Sequence, residues 1–221
     1  MIWKRTRHSH RLKQDPLEKE VKEADLAMLE SAWSDDEIDL YYLDEAGFCL
    51  WMPTTYSYFF QGEQKRLEQT KRRGKRLSIL GLIQPTVSFS YGLVVGSFDA
   101  ERYIQMMNEQ AQQAQQELKQ SGRIRVIVQD NGPIHTCKKV KEQWPQWQEQ
   151  GLYFFFLPKY CSEMNPMETE WHQLKTHELR GQMFEDELDL AYAVIDGVDA
   201  RADAAGYKAQ RFRFPSTLEV S

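Results

Sequence analysis

Three carboxylates stand where a folded chain seldom leaves a charge. Asp44 follows the apolar run 38–43, Asp130 follows the apolar run 124–128 after one glutamine, and Glu168 comes just after Asn165 and Pro166 at the start of a helical pattern. Successive side chains on a strand alternate faces. Asp44 therefore shares a face with Ile38, Leu40 and Tyr42, and Asp130 shares one with Ile124, Val126 and Val128. An ionised carboxylate on the apolar side of a sheet is costly unless it is paired, hydrogen-bonded or bound to a cation. Each acid also has an ordinary structural explanation. An aspartate past a strand can form a turn or cap a helix, and Glu168 can complete a capping box with Asn165. Three acids converging at the ends of adjacent strands would instead repel one another, and hard divalent cations that prefer oxygen relieve such repulsion. Two ions held this way can clamp a phosphodiester, one activating water and the other stabilising the leaving oxygen. The chemistry implied is phosphoryl transfer.

The elements that must position these acids are readable from periodicity. Residues 15–33 place Leu17, Val21, Ala24, Leu26, Met28 and Leu29 near helical spacing, which predicts a linker or docking helix. Residues 37–51 have strand character, with Gly47 expected as a turn. Residues 76–96 read as a hairpin around Gln84, Pro85 and Thr86, whose second arm alternates Val87, Phe89, Tyr91, Leu93 and Val95. A long helix is expected over 99–120, capped by Asp99 and closed near Ser121 and Gly122, with its glutamines on a solvated face. Strands follow at 123–130 and 153–158, and helices at 135–150, 165–180 and 185–205. Pro166 suits the first position of the second of these, and Met167, Trp171 and Leu174 dock one face of it in the core. Five strands with interleaved helices make an α/β fold, a mixed five-stranded sheet flanked by helices. The expected division is a basic arm and linker helix at 1–34, a catalytic domain at 35–205 and a C-terminal tail at 206–221.

Composition narrows the class. The 221 residues are 41 % hydrophobic, enough to pack a core, and no apolar run approaches the roughly 18 residues a membrane span requires. The N-terminus has no apolar signal-peptide core, so a cytoplasmic, nucleoid-associated protein is expected. The three cysteines, Cys49, Cys137 and Cys161, form no CxxC pair, which argues against a disulfide framework or zinc ribbon. The formal net charge of -5 conceals two basic clusters, at 3–13 and at 64–76; the second includes Arg72, Arg73, Lys75 and Arg76. Either can follow a phosphate backbone or serve simply as a solvated segment.

The three blocks "YYLDEAGF", "VIVQDNGPIHTCKKV" and "LPKYCSEMNPMETEW" resemble, in that order, the DDE transposases of the mariner superfamily, in their bacterial insertion-sequence branch. The similarity covers about 37–200, and the Asn-Pro-x-Glu block followed by Trp171 is its most specific part. It implies a ribonuclease H-like fold and a metal-binding catalytic triad of Asp44, Asp130 and Glu168 with two Mg2+ or Mn2+ ions. It further implies cleavage at transposon ends, then attack of the 3' hydroxyl on target DNA, usually at a TA dinucleotide. Relatives often read Leu-Pro-Pro-Tyr-Ser-Pro where this chain has Lys159, Cys161 and Ser162. Family members normally begin with helix-turn-helix modules, whereas this chain starts in what resembles the linker after them. The expected partners are transposon-end and target DNA, a second copy in a homodimer, and a separately encoded helix-turn-helix chain.

Further candidates carry weaker signals. Asn131 and His135 lie close enough to Asp130 to contact a scissile phosphate or orient an acid, and Lys175 lies two turns after Glu168. The histidines and cysteines fit no zinc-finger spacing. Two rival functions remain open: a non-catalytic transposase remnant that binds DNA or a partner, and another ribonuclease H-like nuclease.

Overall fold

The structure, a computed structural model, describes residues 11–52 and 74–214. β1 (Ile38–Phe48) is the longest strand and occupies the interior of a mixed sheet. It pairs antiparallel with β2 (Leu77–Gln84), which returns through a tight turn to β3 (Ser88–Val95). Thr86 adopts a left-handed φ of 61° in that turn. On its other edge β1 runs parallel to β4 (Ile124–Gln129), and β4 runs parallel to β5 (Leu152–Phe156).

The sheet has six strands where five were expected, in the order β5-β4-β1-β2-β3-β6. The addition is β6 (Lys208–Phe212), which lies in the segment read as a tail and pairs parallel with β3. Its sequence, KAQRF, alternates little apolar character and exposes most of its residues. It is a strand because β3 offers an open edge, a tertiary cause that periodicity does not carry.

Strand alternation sorts the core into two layers. Leu40, Tyr42, Ala46 and Phe48 of β1 join Val126 and Val128 of β4 on one face. That face is covered by α1 (Pro16–Ser34), α6 (Met167–Gln173) and α7 (Glu187–Ala205) through Leu26, Trp171, Val194 and Val198. Tyr41, Leu43 and Ile127 point to the opposite face, under Tyr103, Met106 and Met107 of α2 (Ala100–Ser121). As expected, Asp99 caps α2, accepting from the Arg102 amide, and Gly122 closes it in a left-handed conformation.

Three local expectations are corrected. Gly47 does not turn the chain but lies inside β1, where an added Cβ would stand 2.0 Å from Arg76 Nε. The glycine makes room for that guanidinium. The single helix expected over 135–150 is three short pieces: α3 (Pro133–Thr136), α4 (Lys138–Lys141) and α5 (Trp144–Glu149). Cys137 is extended, and Pro145 opens the last piece. The glutamine face of α2 is not wholly solvated. Gln110 is buried, and with Gln113 it accepts from the guanidinium of Arg125, itself 2 % exposed. Arg125 also makes a forked pair with Glu117 and lies over the Tyr41 ring at 4.4 Å. Part of the polar run thus surrounds a buried cation.

Candidate active site

Asp44 lies within β1 rather than at its end, because β1 continues to Phe48 along β2. The parallel neighbour β4 stops earlier. The last β1–β4 partners are Tyr42 and Val128, so two residues further on Asp44 is level with Asp130, where β4 leaves the sheet. On the other side Asp44 faces Gly81 of β2. A Cβ on Gly81 would stand 2.6 Å from both Met167 Cε and Trp171 Cη2, so this glycine lets α6 settle directly on the sheet beside Asp44. Trp171 packs edge-on against Phe89 at 5.9 Å, a geometry worth ~0.5–1.5 kcal/mol beyond area burial.

This setting acts on the Asp44 carboxyl. Burial first, then repulsion from Glu168 and from Asp130, push it from its ordinary 3.8 up to about 7. The Glu45 amide and the Trp171 indole oppose the rise. The indole Nε1 is buried without a hydrogen bond of good geometry, so its hold on the carboxyl is loose.

Asp130 is the opposite case, with a side chain that is 64 % exposed. Its Oδ1 accepts from the Gly132 amide at 2.9 Å and lies 2.8 Å from His135 Nδ1. The His135 contact holds this carboxyl below its ordinary value. Asn131 donates from Nδ2 to the Leu157 carbonyl at 2.7 Å, and the Leu157 amide donates to the Gln129 carbonyl. The exits of β4 and β5 are thereby tied together below the acid.

Glu168 is exposed in the first turn of α6. Its helix is fastened by Asn165, a buried residue whose Nδ2 donates to the Leu43 carbonyl at 2.9 Å and whose Oδ1 accepts from the Met167 amide at 3.1 Å. One amide thus bonds the strand residue just before Asp44 and caps the helix carrying Glu168. The expected cap is present; its second bond, to β1, has no sequence signal. Gly81 was also missed, since one glycine in an apolar strand does not disclose which side chain it admits.

Residues 39–191 match the family model of the DDE superfamily endonucleases. The chain belongs to that family. The resemblance read from its three blocks is borne out at this level. A comparison with curated proteins finds no match. Among solved structures, the DDE endonuclease chain is similar to the Mos1 mariner paired-end complex with Mn, at 17 % identity and a TM-score of 0.69, over 93 % of this chain and 61 % of that one. It is similar to the Mos1 strand transfer complex at 18 % identity and a TM-score of 0.64, over 92 % of this chain and 59 % of that one. The catalytic domain of Mos1 mariner transposase aligns at 14 % identity with a TM-score of 0.54, over 92 % of this chain and 95 % of the domain. The chain thus spans less than two thirds of the Mos1 chains in those complexes, and these likenesses establish the ribonuclease H-like fold.

Other candidate residues of the DDE endonuclease chain fall in varied settings. His135 is 4 % exposed against Asp130, a placement suited to orienting the acid and not to meeting a phosphate. Lys175 lies over the Phe48 ring at 5.5 Å, and Arg76 pairs with Glu45 at 3.0 Å. Lys75 is exposed, its backbone amide bonded to Glu187. Arg72 and Arg73, like most of the 3–13 cluster, lie outside the described residues. A cleft of about 600 Å3 opens beside Asp130, lined by Asn131, Pro133, Leu157, Lys159 and Tyr160. Tyr160 is half exposed with a left-handed φ of 63°.

The fit of these acids to a divalent cation can be tested on the site itself. Among the described residues no three His, Cys, Asp or Glu side chains are gathered closely enough to hold one ion. The donors nevertheless suit Mg2+ or Mn2+ in kind, being carboxylate oxygens. Their mutual repulsion, expressed at Asp44, is the strain that a cation between them would remove.

Proposed function

We propose that the chain is the catalytic domain of a transposase, in the insertion-sequence branch, that cuts DNA at transposon ends and joins the exposed 3' hydroxyl to target DNA. The observation that carries this reading is the strand register that sets Asp44 level with Asp130, beside the helix whose first turn bears Glu168. A structural aspartate gains nothing from such a position. Carboxylates brought near one another are relieved by a divalent cation between them.

Asp44, Asp130 and Glu168 would hold two Mg2+ or Mn2+ ions, which supply Lewis-acid stabilisation and a nucleophilic oxygen at neutral pH. The chain's own residues do the positioning. Gly132 and His135 hold one oxygen of Asp130 and leave Oδ2 for ligation. Asn165 and Gly81 set α6, which bears Glu168 in its first turn, against the sheet beside Asp44. Lys159 and Lys75 are exposed cations suited to the flanking phosphates. Asn131 and Lys175 would contribute less directly, one through the β4–β5 exits and the other from the turn that follows α6.

The same reading keeps residues 1–34 as arm and linker helix and begins the catalytic domain at 35, with β6 now inside its sheet. It entails transposon-end and target DNA as substrates, a homodimer in the active complex, a helix-turn-helix module in another chain, and a cytoplasmic, nucleoid-associated location. Among the described residues no helix is long and apolar enough to cross a membrane.

The test is nicking of supercoiled plasmid by the purified chain with Mn2+, compared with Asp130→Ala and Asp44→Asn. Nicking by the wild type that both substitutions abolish is expected. Equal nicking by Asp130→Ala in a clean preparation would overturn the assignment.

A further inference from the structure

His135 is an imidazole in a setting that does not need one. It is 4 % exposed, its ring packs on Tyr103 with centroids 4.9 Å apart, and its Nε2 is buried without a partner. A buried polar atom left unpaired is costly, and a phenylalanine would pack on Tyr103 without that cost. The return on the imidazole lies at Nδ1. That nitrogen faces two acceptors, Asp130 Oδ1 at 2.8 Å and the Asp130 carbonyl at 3.3 Å, so it must carry the proton.

Asp130 has reason to need such a donor. Its side chain is largely exposed at the point where β4 leaves the sheet, and an unrestrained carboxylate there samples several rotamers. The Gly132 amide reaches Oδ1 from one side and His135 from the other, while the histidine is itself immobilised. Its support, Tyr103, is fully buried and donates its hydroxyl to Gln129 Oε1 at 2.8 Å, the side chain next to Asp130. We propose that His135 is a positioning residue for the metal site: clamped on Tyr103, it commits Oδ1 of Asp130 as an acceptor and presents Oδ2 to the divalent cation in one orientation. This rests on the reading of Asp130 as a ligand. Hydrogen bonds that orient ligating groups typically change metal affinity by about 10–100-fold when removed.

The experiment is calorimetric titration of the full chain with Mn2+ for the wild type, His135→Phe, His135→Asn and Asp130→Asn. His135→Phe keeps the ring against Tyr103 and removes the donor, so its affinity should fall about 10–100-fold. His135→Asn places an amide N–H where Nδ1 was and should recover affinity to within about threefold of wild type, because ligand orientation depends on the donor. Wild-type affinity in His135→Phe, or no recovery in His135→Asn, overturns the proposal. If Asp130→Asn binds Mn2+ as the wild type does, Asp130 is not a ligand and both this proposal and the metal-site reading fall. If Asp130→Asn loses binding while His135→Phe keeps it, only the role of His135 fails. Should His135→Phe not fold, 15N NMR of the wild type decides: an Nδ1-protonated imidazole perturbed by Asp130→Asn is required, and an Nε2-protonated one refutes the assignment.

Discussion

Replacing Asp44 with asparagine should make the protein more stable while destroying the site. The Asp44 carboxyl rises from 3.8 to about 7, with burial the largest cause. At about 1.4 kcal/mol per pKa unit, ionising it in the folded state costs on the order of 4 kcal/mol. The sign follows from proton counting. Between pH 4 and 7 the folded chain keeps this proton while the unfolded chain has released it, so stability falls as pH rises through that window. Below about pH 4 the penalty is absent because both states are protonated; above pH 7 it is fully present. Asparagine carries no such penalty. In EDTA, the stability of Asp44→Asn relative to wild type should therefore be roughly 2–3 kcal/mol greater at pH 8 than at pH 5.

Urea unfolding at the two pH values measures this directly, and in thermal melts at pH 8 each kcal/mol should appear as about 2–4 °C. Mn2+ adds a second arm. A ligand that binds only the folded state stabilises it, so Mn2+ should raise the wild-type midpoint at pH 8 and leave Asp44→Asn nearly unmoved. An Asp44→Asn protein no more stable than wild type at pH 8, or an advantage that does not change with pH, would refute the link between burial, repulsion and a cation.

The other sites give briefer predictions. Gly81→Val should push Trp171 and Met167 off the sheet, lowering plasmid nicking more than tenfold while filter-binding affinity for DNA stays within about threefold, because misplaced catalytic groups cost rate before binding. Asn165→Asp keeps an acceptor for the Met167 amide but sets an oxygen against the Leu43 carbonyl; the loss in urea unfolding should be about 1–3 kcal/mol, the cost of a buried group left unsatisfied. Arg125→Met removes the cation from Glu117, Gln110 and Gln113 and should destabilise by about 3 kcal/mol, with Mn2+ affinity unchanged in calorimetry because this cluster lies in the other layer.

The face on which Asp44 lies was legible because alternation needs only the sequence: parity placed Asp44 with Leu40 and Tyr42, and the structure puts those residues in the layer under Trp171. What parity could not convey was register. The sequence alone suggests that Asp44 ends a strand, yet β1 runs on to Phe48, and the acid becomes level with Asp130 only because β4 pairs no further than Val128 in their shared register. β6 escaped for a related reason. Its residues are polar and exposed, and only the vacant edge of β3 makes them a strand. The glutamines of α2 misled in the opposite direction, since a buried guanidinium supplies partners that the composition of a helix cannot disclose.

The register also explains why these acids can coexist without unfolding the sheet. β1 pairs with β4 as far as Tyr42 and with β2 from Tyr42 to Phe48, so the backbone of Asp44 is held by β2 while its carboxyl is buried near the other acids. β4 ends before Asp130, which leaves that carboxylate largely exposed and held by the Gly132 amide and His135. Glu168 is exposed on the first turn of α6. The cost of ionisation falls on Asp44, whereas the His135 contact lowers it at Asp130. A cation arriving at such a site would meet strands already paired around Asp44 and would not have to assemble them.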